Sequence, residues 1–247
     1  MAVSAAGLRA VRLYLHRHGT SEWNLLTKWQ GETDIKLAPE GKAQAEDAAA
    51  AHMAAAVRFD AARCSDLARA AHTADILFAA CAPSGTDSTV VRDPRLRECS
   101  LGVFEGLTRA EIKGEGSQYR PIFDQLQTLD HEERLDTAYF EGLETPRQLG
   151  TRAMECVVEL ARELRSSDGG RSGDDSSNGG GGGDCATGLI VTHSTVLESI
   201  LATFFNKSYD SVHTQTLACV VLRLEVGAAE DAFTIEEMRG IECEEAP

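Results

Sequence analysis

The chain has 247 residues, 43% of them hydrophobic and 26% charged, with 24 basic against 39 acidic side chains and a formal net charge of -15. That length buries a sizeable core within one α/β domain, and no apolar run approaches the ~18 residues of a membrane span. The acidic balance repels the phosphate backbone that a nucleic-acid binder must neutralise, whereas a small anionic substrate stays open, since a few arginines in a cleft oppose the global field locally.

Because the first acidic residue is Glu22, the N-terminus superficially suits an Arg-containing transit peptide. "LRAVRLYL" nevertheless reads as the first strand and leaves too little chain for a cleavable signal, so the expected location is cytoplasmic. "AVRLYLH" is rich in β-formers and delivers its carboxyl end to a glycine-containing loop. Pro39 to about Val57 is an Ala-rich run that predicts a helix, with Pro39 suited to its first turn. "RFDAARCSD" predicts a short strand, Leu67 to Cys81 a second helix, and "STVVRD" another strand. Residues 107–145 turn irregular and polar, with aromatics at Tyr119, Phe123, Tyr139 and Phe140, and predict a helical, cap-like insertion over the site. Pro146 to Arg165 keeps a helical period through Leu149, Ala153, Cys156, Val157, Leu160, Ala161 and Leu164. Residues 166–188 are Gly/Ser-rich and predict a flexible loop. "GLIVTH" predicts a buried strand, "STVLESILATFF" a helix, and "TLACVVLRLEV" and "AFTIEEM" two final strands. The alternation predicts a three-layer α/β/α fold with a mostly parallel central sheet, forming a single domain over 1–247. Seven cysteines without a CxxC pair or zinc-like spacing predict reduced thiols.

Chemistry concentrates at four predicted strand ends. "YLHRHGTSEWN" places His16, Arg17 and His18 before Gly19, where an imidazole can project into a cleft while glycine lets the backbone approach a ligand. Neutral imidazole is a nucleophile toward phosphorus, and the guanidinium beside it forks onto phosphate oxygens. His16 and His18 also have the spacing of two metal ligands, and with His193 they define a metal-site alternative. "SDLARAAHTA" puts Arg69 in the first turns of a helix, which favours anions. "LRECSLGVFEG" supplies Glu98, and "LIVTHS" ends on His193. Ligands of open parallel sheets bind outside the carboxyl ends of the strands, so these residues predict one converging site.

In this order and at these separations, the four blocks resemble the histidine phosphatase superfamily, phosphoglycerate-mutase-like branch, from about Arg12 to Leu224. The resemblance implies His18 as the nucleophile that carries a transient phosphohistidine. It implies a phosphate pocket of Arg17, Arg69 and His193, with Asn24, the hydroxyls and amides of Thr20 and Ser21, and the amide of Ser194 adding hydrogen bonds. Glu98 would protonate the leaving oxygen and then help water attack. The arginines and His193 supply the positive charge a metal gives elsewhere, so no metal or other cofactor is expected.

Mutases of this family carry a Tyr-Gly pair after the catalytic glutamate and an Arg-Arg-Ser-Tyr segment in the insertion. Here "CSLG" follows Glu98, and "KGEGSQYRPIFDQLQ" lacks that segment. The expectation is therefore hydrolysis of a small phosphorylated metabolite, of sugar phosphate or phosphoglycerate type. A cofactor-dependent phosphoglycerate mutase and a non-catalytic phosphate-binding or scaffolding module are the alternatives, and the oligomeric state is left open. "THSTVLES" departs from relatives that have glycine after the histidine and an arginine further on; Ser194 and Glu198 stand in that stretch. Glu105 reads as an ordinary loop acid, His72 as a helix-surface residue, and His52, His131 and His213 as structural or exposed. His16 reads as packed beneath the loop, Tyr119 as a packed aromatic and Arg120 as a surface arginine.

Overall fold

Alternate side chains of β1 (Ala10–Arg17) serve opposite faces of a sheet, as the two-residue period of a strand requires. Val11, Leu13 and Leu15 enter one core and Tyr14 enters the other. In the computed structural model, residues 9–83, 89–166, 185–225 and 232–246 are described. The chain continues through α1 (Glu22–Leu25), α2 (Pro39–Ala54), β2 (Ala61–Cys64), α3 (Ala68–Cys81) and β3 (Val91–Arg92). The insertion contributes three short helices, α4 (Arg109–Lys113), α5 (Arg120–Leu126) and α6 (His131–Leu135). Then follow α7 (Pro146–Ser166), β4 (Cys185–Thr192), α8 (Ser194–Phe204), β5 (His213–Leu224) and β6 (Thr234–Glu242).

The sheet order is β3-β2-β4-β1-β5-β6. The first four strands pair in parallel, and β5 and β6 are added antiparallel, so the sheet is mixed. Helices α2 and α3 pack on the face that carries Tyr14, Leu189, Val191 and Val221. Helices α7 and α8 pack on the face that carries Leu13, Leu15, Ile190 and Leu222, giving the expected three layers. Every apolar position that set the period of α7 is buried. All seven cysteines are free thiols, five of them fully buried.

Two expectations change. The strand expected at "STVVRD" shrinks to Val91–Arg92, both exposed at the sheet edge. Residues 185–188, assigned to the Gly/Ser-rich loop, already run in β4, where Cys185 pairs with Ala10 and Gly188 with Leu13. Their small, polar composition hid a strand that tertiary pairing imposes. At Gly188 a Cβ would lie 2.7 Å from a Leu13 methyl and 2.8 Å from a Leu164 methyl, so the missing side chain lets the core close over the strand. The rest of that loop, 167–184, lies outside the described residues.

Crossing from β1 over the later-inserted β4 to β2 places the carboxyl ends of four parallel strands side by side at a topological switch point. The loop leaving β1 is pressed onto the first turn of α2: a Cβ on Gly19 would sit 2.5 Å from the Gly41 carbonyl oxygen, and one on Gly41 would run into the Thr20 carbonyl. Backbone meets backbone here, and no flexible side chain can yield. Gly41→Ala is expected to lower stability by about 1–3 kcal/mol through overpacking, read as a drop in the urea midpoint at unchanged slope; an unaltered midpoint would show that the contact relaxes freely.

Candidate active site

Each strand end delivers its residue directly. Arg17 closes β1 and His18 follows it, with the His18 amide donating to the Thr192 carbonyl at 3.0 Å and so tying the loop to the end of β4. Arg69 is the second residue of α3 and is 1% exposed. His193 follows Thr192 and forms the N-cap of α8. Glu98 lies in the segment after β3. Arg17, His18, Asn24, Arg69, Glu98 and Ser194 line one cleft of about 520 Å³, with the His193 ring 5.1 Å from that of His18.

The His18 ring is held in one tautomer. Its Nδ1 lies 2.6 Å from the Gly19 carbonyl oxygen, which can only accept, so Nδ1 carries the proton and the lone pair is on Nε2. Burial first, then the positive charges of Arg69 and Arg17, push the His18 pKa well below the ordinary imidazole value and keep the ring neutral. His193 is driven down by burial first, then by the charges of Arg69 and its neighbour His18. Desolvation also lowers the Arg69 guanidinium to about 10.

The donors around His18 are under-used. The Arg17 and Arg69 Nε atoms and both ring nitrogens of His193 are buried and make no hydrogen bond among the described residues. Each such group costs about 1–3 kcal/mol while it goes without a partner, and a tetrahedral oxyanion accepting from the two Nε–H groups and the single N–H of the neutral His193 ring recovers that cost. Other atoms of the same residues are committed. Arg69 donates to the carbonyls of Thr33 at 3.0 Å and Gly31 at 2.8 Å, and Arg17 to that of Thr214 at 2.5 Å. Arg69 therefore also anchors the 31–33 loop, a second role absent from the sequence reading.

Of the hydrogen-bonding residues expected around phosphate, Asn24 and Ser194 reach the cleft and Thr20 and Ser21 do not line it. The Thr20 amide donates to Gln44 Oε1 at 3.0 Å and its carbonyl accepts from Ala38. Ser21 is fully buried as the N-cap of α1; its hydroxyl donates to Gln30 and its amide to Asn24 Oδ1 at 3.0 Å. That bond fixes the Asn24 oxygen and leaves its amide nitrogen for a ligand. His16 turns away from His18: its Nε2 lies 2.9 Å from His52 Nε2, so the trio His16, His18 and His193 is not assembled. Among the described residues no group of three or more His, Cys, Asp or Glu side chains is placed to hold a metal ion.

Glu98 Oε2 accepts from the Thr195 amide at 3.3 Å and faces the Ser194 hydroxyl at 3.4 Å, while Oε1 accepts from the Cys99 amide at 3.1 Å. Its segment is held by Arg152 of α7, which donates to the Arg95 and Arg97 carbonyls at 2.6 and 2.9 Å and pairs with Glu144 at 2.6 Å. Glu105 is a clamp. Its carboxylate accepts from the amides of Leu101 at 3.0 Å, Thr33 at 3.1 Å and Glu32 at 3.2 Å, and from the Thr33 hydroxyl, joining the 31–33 loop to the Glu98 segment.

The insertion does reach the site, through the aromatic Tyr139 and through two cations, Arg109 and Lys113, that the sequence did not single out. Arg109, Lys113 and Tyr139 line the cleft with Lys28, and none of the three cations has an ion pair among the described residues. The Lys113 ammonium lies 4.3 Å from the Phe123 ring centroid, a cation–π contact, and burial lowers its pKa. Tyr119 packs edge-on against Phe104, Arg120 lies 3.7 Å from Asp124, and neither lines the cleft. His72 is exposed, and so is His213, although His213 also lines the cleft.

A profile of the histidine phosphatase superfamily (branch 1) matches residues 13–169. A probable phosphoglycerate mutase GpmB of Proteus mirabilis is 34% identical over 110 residues, 44% of this chain and 48% of that protein. The chain thus spans about half the length of the curated relatives it matches. The structure of YhfR from Bacillus stearothermophilus superposes with a TM-score of 0.67 at 26% identity, covering 93% of this chain and 96% of that one. A mycobacterial glucosyl-3-phosphoglycerate phosphatase superposes with a TM-score of 0.67 at 24% identity, covering 92% and 98%.

The depressed histidines set a pH dependence of stability. A ring held neutral in the fold binds no proton as pH falls through 6.5, whereas the unfolded chain does, so stability decreases on acidification below about pH 6.5 and is flat above about pH 7.5. For the buried rings of His16 (lowered to about 3), His18 and His193 the slope reaches about 4 kcal/mol per pH unit. Urea midpoints measured from pH 7.5 to 5.5 check this, and a constant midpoint would contradict it. Glu105→Ala is expected to cost about 2–3 kcal/mol by stranding its donors, checked by the same titration at pH 7.5.

Proposed function

This chain belongs to the histidine phosphatase superfamily, and on that footing we propose that it is a metal-independent phosphomonoester hydrolase working through a phosphohistidine on His18. The observation that carries the reading is the fixed tautomer of a neutral, buried His18, with its Nε2 lone pair in a cleft where the Nε atoms of Arg17 and Arg69 and the His193 ring nitrogens have no hydrogen-bond partner among the described residues. In the first half-reaction Nε2 attacks phosphorus in line, the P–O ester bond breaks, and the leaving oxygen takes a proton from Glu98. Charge on the equatorial oxygens is met by Arg17, Arg69, His193 and the Asn24 amide, which are already oriented and need no reorganisation. In the second half-reaction water attacks the same phosphorus, gives its proton to Glu98, and the P–N bond breaks to restore the imidazole.

The substrate class is a small phosphorylated metabolite of sugar phosphate or phosphoglycerate type. Lys28, Arg109 and Lys113 at the cleft support it, since unpaired cations in a chain of net charge -15 concentrate anions locally. A cytoplasmic setting and a single domain over 1–247, with 107–145 as the cap, belong to the same reading. Among the described residues no helix is long and apolar enough to cross a membrane. The second reading is a phosphoglycerate mutase, favoured by the name of the Proteus relative over the half of it that is matched.

His18→Ala is expected to reduce phosphate release from a phosphomonoester panel by at least about a thousandfold, while chelator leaves the wild-type rate unchanged. Trapping wild type with a labelled ester should give an acid-labile phosphoryl group on His18. Isomerisation of 3-phosphoglycerate without phosphate release would replace the hydrolase by the mutase, and binding of phosphate without either reaction would leave a phosphate-binding module.

A further inference from the structure

We infer that Glu198 is a specificity-determining residue of this cleft, selecting phosphomonoesters whose leaving group carries an ammonium three bonds from the ester oxygen. The inference rests on the hydrolase reading above and narrows its sugar phosphate class to members that bear an amino group close to the ester. Glu198 lies on α8 four residues after Ser194, so the two share one helix face about 6 Å apart. The Ser194 hydroxyl lies 3.4 Å from Glu98, the group assigned to the leaving oxygen. A leaving group that departs from Glu98 along this face therefore meets Glu198 after a short carbon chain.

The chemistry at that point favours a cation. Glu198 lines the cleft, half-buried, and accepts from the Thr214 hydroxyl at 3.0 Å, with no ion-pair partner among the described residues. Arg17 faces it from β1, Glu98 and Cys99 from the segment after β3, Tyr139 from the stretch before α7, Tyr209 from the segment after α8, and Thr214 from β5. Arg17 is the cation among them, and it is engaged by the Thr214 carbonyl and, in the proposed complex, by phosphate. Two carboxyl groups then share a poorly solvated wall. Burial and, after it, the negative charge of Glu98 lift Glu198 to about 7, which shows how strongly that wall resists a second negative charge. A ligand hydroxyl would satisfy a hydrogen bond yet leave the poorly solvated Glu198 carboxylate without a counter-charge. An ammonium supplies the counter-charge and the hydrogen bond together.

The probes are 2-aminoethyl phosphate and n-propyl phosphate, which match in size and differ by ammonium against methyl, with 2-hydroxyethyl phosphate as the uncharged donor. At pH 8, where Glu198 is ionised, wild type is expected to favour the aminoethyl over the propyl ester by about tenfold or more in kcat/KM. The ratio should fall as pH drops below 7 and the carboxylate takes up its proton. Glu198→Gln should bring the ratio to about one at both pH values; a merely structural role would lower both rates and leave the ratio in place. A wild-type ratio near one with both esters hydrolysed, the same ratio in the variant, or a hydroxyethyl ester used as well as the aminoethyl one would each overturn the inference while the hydrolase stands. Failure to hydrolyse these esters and p-nitrophenyl phosphate alike would remove both.

Discussion

Four parallel strands ending side by side impose the constraint from which the rest of this molecule follows. Because β3, β2, β4 and β1 run the same way, the chain must leave each of them at one edge of the sheet, and every exit loop shares one limited space. That crowding lets residues as distant as Arg17 and His193 act on one ligand. It also explains the backbone contact between Gly19 and Gly41, since the exit from β1 is pressed so tightly onto the first turn of α2 that no room is left for a Cβ.

Crowding also removes water, and desolvation is the first cause behind the low pKa of His18, His193 and Arg69. A cluster of cations and imidazoles would ordinarily be relieved by solvent or by carboxylates. Here two of the nearest polar partners are carbonyl oxygens of Gly31 and Thr33, which hold Arg69 without neutralising it. The site thus stores unmet attraction for an anion. Arg152 and Glu105 keep that arrangement from relaxing by pinning the Glu98 segment from both sides.

Much of this was legible in the sequence because strand ends are local signals. Short β-rich runs followed by His, Arg or a glycine turn announced β1 and β4, and the helical period of residues 146–165 announced α7 with its buried face. What escaped were partners far apart in the chain. Glu105 reads as one loop acid among many until the fold brings residues 31–33 against it, about seventy positions earlier. Arg152 is one charge on a helix rich in charges, and its carbonyl partners lie more than fifty residues upstream. Thr20 and Ser21 sit inside the RHG block yet are spent on Gln44, Gln30 and Asn24, because a tight loop needs its own hydrogen bonds before it can offer any. Residues 185–188 show the converse, with loop-like composition overridden by pairing to β1.

The contact between His16 and His52 has a consequence of a different kind. Two imidazole nitrogens facing each other at 2.9 Å hold one proton between them, because two protons would collide and two lone pairs would repel. With burial keeping His16 neutral, the shared proton ties β1 to α2 through a contact that carries no net charge. The strand that leads into His18 is thus braced from beneath by a buried dipole two residues from that ring, and whatever disturbs the pair disturbs the field at His18.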